Sequence, residues 1–399
     1  MIQSRSPILW RNALFTVFFV NGLAFSSWLA RVPAIRDGLD ISTGEVAALL
    51  FTGAVGAVVG LIFSSHLIAW LGQRTSIILF SLLGLVGLAA IGFGSSIAQS
   101  YGLTILAIVI AGAGNGIADV AMNVEGAAIE QAINRNVMPW FHAMWSLGTV
   151  AGAGIAAVVT YLDVDIAAHT ITIALVGAPA VILAGRLLGS SNRLSTSDET
   201  QKASTLADRL RVWKEPRTLA IGLIALGMAF AEGSANDWLA LAMVDGRGLT
   251  HAEGALWFGF FTAGMLAGRI SGVYLLDRFG RVPILQVFAA IALVGLTLVI
   301  LVAQPILSIV GVLLWGLGSS LGFPVAMSAA ADQAEGSAAR VSAVATVAYG
   351  AFLIGPPLIG GLGEVTGLLT ALWVVVALIA VSFLSTPAAK PPRRDSTTP

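Results

Sequence analysis

Apolar runs of about twenty residues, the length a helix needs to cross ~30 Å of hydrocarbon, recur along the whole chain with short polar breaks between them. They fall near 11–34, 44–70, 76–96, 101–124, 138–161, 167–188, 216–243, 252–276, 282–302, 306–331, 338–362 and 366–386. The pattern predicts about twelve membrane-spanning helices and an all-α integral membrane fold. A barrel is excluded because its strands would be ~10 residues long and would alternate polar with apolar positions. The first run follows Arg5 and Arg11 but is too long for a signal-peptide core. It ends in "LARVPAIRDGL" without a clear small-residue cleavage site, so it is expected to be retained.

Composition agrees with the pattern: 57% of the 399 residues are hydrophobic and 11% charged, against roughly a quarter charged in a soluble domain. With no Cys and four scattered His, disulfide, thiolate-metal and zinc chemistry have no residues to build on, and no cofactor is expected. A formal net charge of zero gives no reason to expect nucleic acid. The placement of charge is more informative. If the N-terminus lies inside, every Lys and Arg except Arg31, Arg36 and Arg247 falls in an inner segment, Arg269 being counted among them. The positive-inside rule then places both termini in the cytoplasm and the chain in the cytoplasmic (inner) membrane, as a multi-pass protein.

The stretch "GSSNRLSTSDETQKASTLADRLRVWKE" at 189–215 is polar and Ser/Thr-rich and reads as a cytoplasmic linker. The halves on either side repeat each other. "DGLDISTGE" (37–45) matches "DGRGLTHAE" (245–253) at an offset of 208, Gly72 pairs with Gly280 at the same offset, and "AM" at 121–122 recurs at 326–327. The expected organisation is an N-terminal bundle (1–188), the linker (189–215), a C-terminal bundle (216–388) and a cytoplasmic tail (389–399). Such internal duplication is the plan of many secondary transporters. Ser42 with Glu45 and Thr250 with Glu253 have capping-box spacing, which gives these acids a structural role at helix starts.

The loop "GVYLLDRFGR" (272–281) resembles the G-x(4)-D-R-x-G-R signature of the major facilitator superfamily; in the first half "SSHLIAWLGQR" (64–74) keeps Gly72 and Arg74 but has Ala69 and Trp70 in place of Asp and Arg. "NGLAFSSWLARVPAIRDGL", "DVAMNVEGAAIE", "FHAMWSLG" and "EGSANDW" are similar to the branch of MosC-like and, more distantly, fucose-permease-like proteins. The resemblance spans nearly the whole chain. It implies two pseudo-symmetric six-helix bundles, a carrier role, and a conformational latch formed by Gly272, Asp277, Arg278, Gly280 and Arg281. The fourth span lacks the Arg of the superfamily's fourth-helix motif, and Asn21 stands where fucose permease has a carboxylate, so the family's proton pathway does not transfer directly.

Polar residues inside the spans are the functional candidates, because an ionisable group in hydrocarbon is costly and faces the protein interior. Asn115, Asp119 and Asn123 recur every four residues and share a helical face. His142 and Trp145 share a face of the next span, with His142 at a depth from which it could hydrogen-bond the Asp119 face. Glu232 lies roughly sixteen residues, about 24 Å, from the cytoplasmic end of its span. Asn236 shares its face and Asp237 follows. No basic residue is expected in the membrane interior to neutralise Glu232, so Glu232, Asp119 and Asp237 are the candidates for proton coupling. Asn21, Trp28, Trp315 and Tyr349 are candidates to line the same cavity, since Trp with amide partners suits sugars and polyols. Trp10, Trp70, Trp140 and Trp213 read as interfacial anchors.

"GAGNG" (112–116) follows no strand and carries no Lys, so it reads as close helix packing rather than a phosphate loop. "GAFLIGPPLIGG" (350–361) reads as a packing and kink element. No nucleophile–base or metal constellation points to an enzyme. The expectation is a secondary transporter that moves a small polar solute (a sugar, polyol or cyclitol) by alternating access as a monomer driven by protons. Its rivals are a proton-coupled exporter of drugs or metabolites and a membrane sensor that binds without transporting.

Overall fold

The computed structural model describes residues 7–135, 137–189, 211–332 and 336–391. Most of the expected linker and the end of the tail lie outside the described residues. Within them every regular element is helical, and twelve helical segments are long and apolar enough to cross a membrane.

The first half runs α1 (Pro7–Leu29), α2 (Val32–Leu39), α3 (Thr43–Leu71), α4 (Gln73–Gly92), α5 (Tyr101–Ile133), α6 (Met138–Tyr161) and α7 (Ile166–Leu187). The second runs α8 (Pro216–Arg247), α9 (His251–Phe279), α10 (Arg281–Leu301), α11 (Pro305–Ser319), α12 (Gly322–Ala330), α13 (Ser337–Thr366), α14 (Leu368–Ala371) and α15 (Trp373–Ser385). The first apolar run is not one helix to residue 34. It stops at Leu29, and Pro33, which has no amide hydrogen to give, opens the short α2 instead. The tenth span is likewise two helices, α11 and α12, and the fifth element runs on to Ile133, well past the expected end at 124.

Two faces can be told apart. One, the cap face, carries α2 and the starts of α3 and α9. There both capping boxes form, Ser42 with Glu45 and Thr250 with Glu253, each side chain bonding the other's backbone amide. The residues preceding them by two, Asp40 (φ 52°) and Gly248 (φ 67°), are both left-handed and stand 208 apart. The other, the linker face, carries the α3–α4 and α9–α10 turns. Gly72 (φ 81°) and Gly280 (φ 78°) make these turns in matching conformations that favour glycine. The repeat legible in the letters is therefore a repeat of backbone geometry.

Within the first half α5 packs on α3 and α4, and α1 on α6. The α3–α5 approach is what "GAGNG" provides. A Cβ at Gly112 would press into the Gly53 carbonyl, and one at Gly116 would lie 2.5 Å from that of Ala57. In the second half α10 and α9 pack on α11, while α13 and α15 pack on α8. The halves meet along two helix pairs, α6 with α9 and α3 with α13.

Candidate functional site

The halves are joined unequally from one face to the other. On the cap face Arg36 of α2 bonds Asp245 at the end of α8 (2.6 Å), and Asp37 contacts His251 at the start of α9 (2.9 Å). The Gly44 amide donates to Glu364 of α13 (2.9 Å). Leu29, Val46, Ala47, Leu50 and Ala153 of the first half are buried in one continuous apolar core with Trp238, Phe258 and Ile359 of the second. Both charge pairing and apolar burial thus close the cap face.

Beneath that seal lies a cavity of about 190 Å³ between the bundles. Five of the expected residues line it: Asn21 and Trp28 of α1, Asn115 of α5, and Asn236 and Asp237 of α8. Phe25, Phe352 and Pro356 complete its apolar wall. Pro356 and Pro357 do not break α13, which is helical from Ser337 to Thr366. Asn21 is fixed from behind: its amide donates to the Val17 carbonyl (2.9 Å) and to Ser81 Oγ (3.0 Å). Among the described residues Asp237 makes no hydrogen bond or ion pair, so its carboxyl is the one acid that faces the cavity without a protein partner. The arrangement offers amides to hydroxyls, aromatic faces to an apolar ring face, and one carboxyl for a proton or a cation.

The other candidates lie outside the cavity lining. Asp119 and Asn123 bond each other, Asn123 Nδ2 donating to Asp119 Oδ1 (3.1 Å) and to its carbonyl (2.9 Å). Tyr349 of the opposite half comes within electrostatic reach of Asp119 and packs edge-on to Phe323. His142 makes no hydrogen bond to the Asp119 face; it packs edge-on to Phe18 at 5.7 Å. Trp145 lies against Phe25, with ring centroids 5.9 Å apart. Trp315 is not a cavity residue. It is fully buried in the second half, edge-on to Phe261 at 5.3 Å, because the α11 face that carries it packs on α9. Trp10 is more than an interfacial anchor, for its indole N–H donates to the buried Glu125 carboxylate (2.6 Å) and ties α1 to α5.

The expectation that Glu232 has no basic neighbour is overturned. Arg269 Nη2 lies 3.1 Å from Glu232 Oε1, and Arg269 Nη1 donates to Ser146 Oγ across the α6–α9 interface (2.6 Å). Arg269 does not belong with the inner-loop charges: it sits about ten residues, or about 15 Å, before the end of α9 at Phe279. Counting every Arg near a span end as loop charge concealed it, although its distance from the "DRFGR" turn was readable. Glu232 itself is absent from the cavity wall, which Gly233, Asn236 and Asp237 of the same helix form.

Of the expected latch, Arg281 is engaged, bonding Asp332 (2.5 Å) and Ser328 (3.0 Å). Gly272 packs under Leu321. Asp277 and Arg278 are exposed, and among the described residues Asp277 has no hydrogen-bond or ion-pair partner. With the cap face closed, the contact expected of Asp277 is not made.

Comparison with known proteins agrees with this architecture. The profile described as Major Facilitator Superfamily matches residues 2–127 and 137–352. The uncharacterized transporter y4wD of Sinorhizobium fredii is 30% identical over 376 residues, covering 93% of this chain and 96% of its own. Membrane protein MosC of Rhizobium meliloti is 27% identical over 362 residues, covering 90% and 85%. Among solved structures, the nucleoside transporter NupG superposes with a TM-score of 0.77 at 12% identity, over 95% of this chain and 99% of that one. FucP, the E. coli fucose:proton symporter, in its outward conformation gives 0.66 at 16% identity, over 97% and 100%. At these identities the two structures speak to the fold alone.

Proposed function

The chain belongs to the major facilitator superfamily and is a secondary transporter rather than an enzyme; from that premise we propose that it carries a small hydroxylated solute, of the sugar, polyol or cyclitol class, coupled to protons. The observation that carries the proposal is the cavity between the bundles, where Asn21, Asn115 and Asn236 offer amides, Trp28 and Phe25 offer rings, and Asp237 offers an unpartnered carboxyl. Ring faces and amide rims match solutes with apolar faces and hydroxylated edges. A carboxyl on the wall of a cavity between the bundles is placed to take a proton from one side and give it up to the other as access alternates.

Charge supports the sidedness. Arg74, Arg135, Arg278, Arg281 and Arg340 lie toward the linker face, against Arg31, Arg36 and Arg247 toward the cap face. We therefore assign the linker face and both termini to the cytoplasm, and the protein to the cytoplasmic membrane. The sealed cap face is then the outer one. Asp119 and Asn123 follow Asn115 of the cavity wall by one and two turns of α5 toward the linker face, with Tyr349 of the other half near Asp119. An acidic, aromatic-lined cavity also suits an organic cation, which keeps an exporter as the second reading.

The test begins with thermal-shift screening of sugars, polyols, cyclitols and amphiphilic cations, since a ligand of the folded state raises its apparent stability. The stabilising solute is then followed in proteoliposomes by counterflow and by uptake under a pH gradient. Asp237→Asn should retain counterflow and lose gradient-driven accumulation, and Trp28→Ala should lose both. Binding without counterflow would indicate a sensor. Stabilisation by cations alone would indicate the exporter.

A further inference from the structure

Among the described residues four glycines line the cavity between the bundles: Gly53, Gly84, Gly112 and Gly233. Close packing accounts for three of them. A Cβ at Gly112 would press into the Gly53 carbonyl, one at Gly53 would lie 2.9 Å from Ile108 Cγ2, and one at Gly233 would lie 3.0 Å from Phe352 Cδ1. Gly84 is different. A Cβ there would meet the Asn115 backbone nitrogen at 3.8 Å and the Ala111 carbonyl oxygen at 4.0 Å, both ordinary contacts.

Nor does the backbone require glycine at this position. Gly84 lies inside α4 and has no positive φ, and a glycine in mid-helix weakens the helix relative to alanine. Helices α4 and α5 do approach closely at this level. The glycine that this approach requires is Gly114, whose Cβ would lie 2.6 Å from the Gly84 nitrogen. The fold therefore leaves the open side of Gly84 without a structural cause.

Two of the cavity amides border that open side. Ser81, one turn earlier on the same face of α4, accepts from the Asn21 amide (3.0 Å), and Asn115 of α5 lies beside Gly84 through its own backbone nitrogen. We propose that Gly84 is a specificity-determining residue, bare so that a ring-shaped solute, a pyranose or a cyclitol, can lie on the α4 backbone while its hydroxyl rim reaches Asn21 and Asn115. Phe25 and Trp28 line the same cavity and offer apolar surface to a ring face. A ring also spans two amides without the loss of rotational freedom that an open-chain polyol would incur. A side chain at position 84 would take the place of that ring face, and a site already filled by its solute does not absorb the extra volume without strain.

This inference rests on the hydroxylated-solute reading and narrows it to rings. Its test is thermal unfolding in detergent with D-glucose, D-galactose and myo-inositol as probes, in wild type, Gly84→Ala, Gly84→Val and Gly154→Ala. Gly154 is a glycine of α6 outside the cavity lining, and a Cβ there would meet nothing within 4 Å. Without solute, Gly84→Ala and Gly154→Ala should both melt no lower than wild type, since each replaces a helical glycine where there is room. For the ring that stabilises wild type, apparent affinity should fall at least about tenfold in Gly84→Ala, the scale of overpacking a filled site by one methyl group. It should be lost in Gly84→Val and unchanged in Gly154→Ala, and counterflow of the same ring in proteoliposomes should follow that order. Gly84→Ala melting well below wild type would show that packing demands the glycine and would overturn the proposal. Wild-type affinity in Gly84→Ala would overturn it as well, with the solute reading intact. An equal loss in Gly154→Ala would assign the effect to helix stiffness rather than to space, against the proposal. A wild type stabilised by none of the three probes would overturn the ring-solute reading, and the role of Gly84 with it.

Discussion

The α3–α4 and α9–α10 turns share a backbone but not a chemistry. Each pivots on a left-handed glycine, Gly72 or Gly280, and each anchors the residue that follows to a neighbouring element of its own half. In the first half that residue is Gln73, whose amide donates to the Ala121 carbonyl of α5. In the second, 208 positions on, it is Arg281, which binds Asp332, and Asp332 also receives Arg217 (2.8 Å). The contrast extends along the linker face: the first half joins α1 to α5 through Trp10 and Glu125, and the second joins α8 to α13 through Glu215 and Arg340 (2.6 Å). A duplicated fold has kept its turns while one copy holds them with uncharged donors and the other with ion pairs. Because backbone geometry needs only glycine at the pivot, the anchoring chemistry is free to diverge.

The comparison can be broken most forcefully at Asp332. Its side chain is 11% exposed and serves two guanidinium groups. Asp332→Asn should therefore cost about 3 kcal/mol of stability by leaving both without a carboxylate. Removing the first-half anchor with Gln73→Ala should cost only about 1 kcal/mol. Thermal unfolding of the two variants side by side in detergent measures the gap, and equal losses would show that charge is not what distinguishes the halves.

Alanine at the pivots should act alike in both copies. A Cβ added at Gly280 would meet nothing within 4 Å, so the cost of Gly280→Ala is conformational, about 1 kcal/mol, and Gly72→Ala should match it. Unequal melting shifts for the pair would mean that the turns are not equivalent after all.

Asp277 has no counterpart in the first half, where Ala69 stands. Because it has no bonding partner among the described residues, Asp277→Asn should leave thermal stability of this state unchanged while slowing the return to the cap-open state in which a latch would form. A cysteine introduced at Val46, which is buried between the halves on the closed cap face, would report this as slower labelling; an unchanged rate in folded protein counts against a latch.

The smallest effect concerns acid. The hydrogen bond from Arg340 holds Glu215 below its ordinary value, against a smaller opposing effect of burial. A depressed carboxylate contributes stability above its unfolded value of about 4.3 and loses it as pH falls through the folded one. Glu215→Gln should therefore melt below wild type near neutrality, by less than about 1 kcal/mol for a partly exposed pair, and the difference should close below about pH 3.

Much of this protein is written locally in its sequence. Length and continuity of the apolar runs determine twelve spans, because a helix is the simplest structure that satisfies its own backbone in lipid. Ser42, Glu45, Thr250 and Glu253 announce their capping boxes, and Gly72 and Gly280 their turns, since each acts through bonds to residues a few positions away. Asn21, Trp28, Asn115, Asn236 and Asp237 could be singled out as polar or amphipathic residues in apolar runs. What tertiary structure alone decided is which of these residues meet. Trp315 and Trp28 look alike in sequence, yet packing buries one against Phe261 and leaves the other on the cavity wall. Glu232 reads as an unpaired acid until α9 is laid beside α8 and brings Arg269 to it across 37 positions of chain. Pairing in a membrane interior depends on which helix faces are turned toward each other, and that is set by the packing of whole helices rather than by any residue's own neighbours.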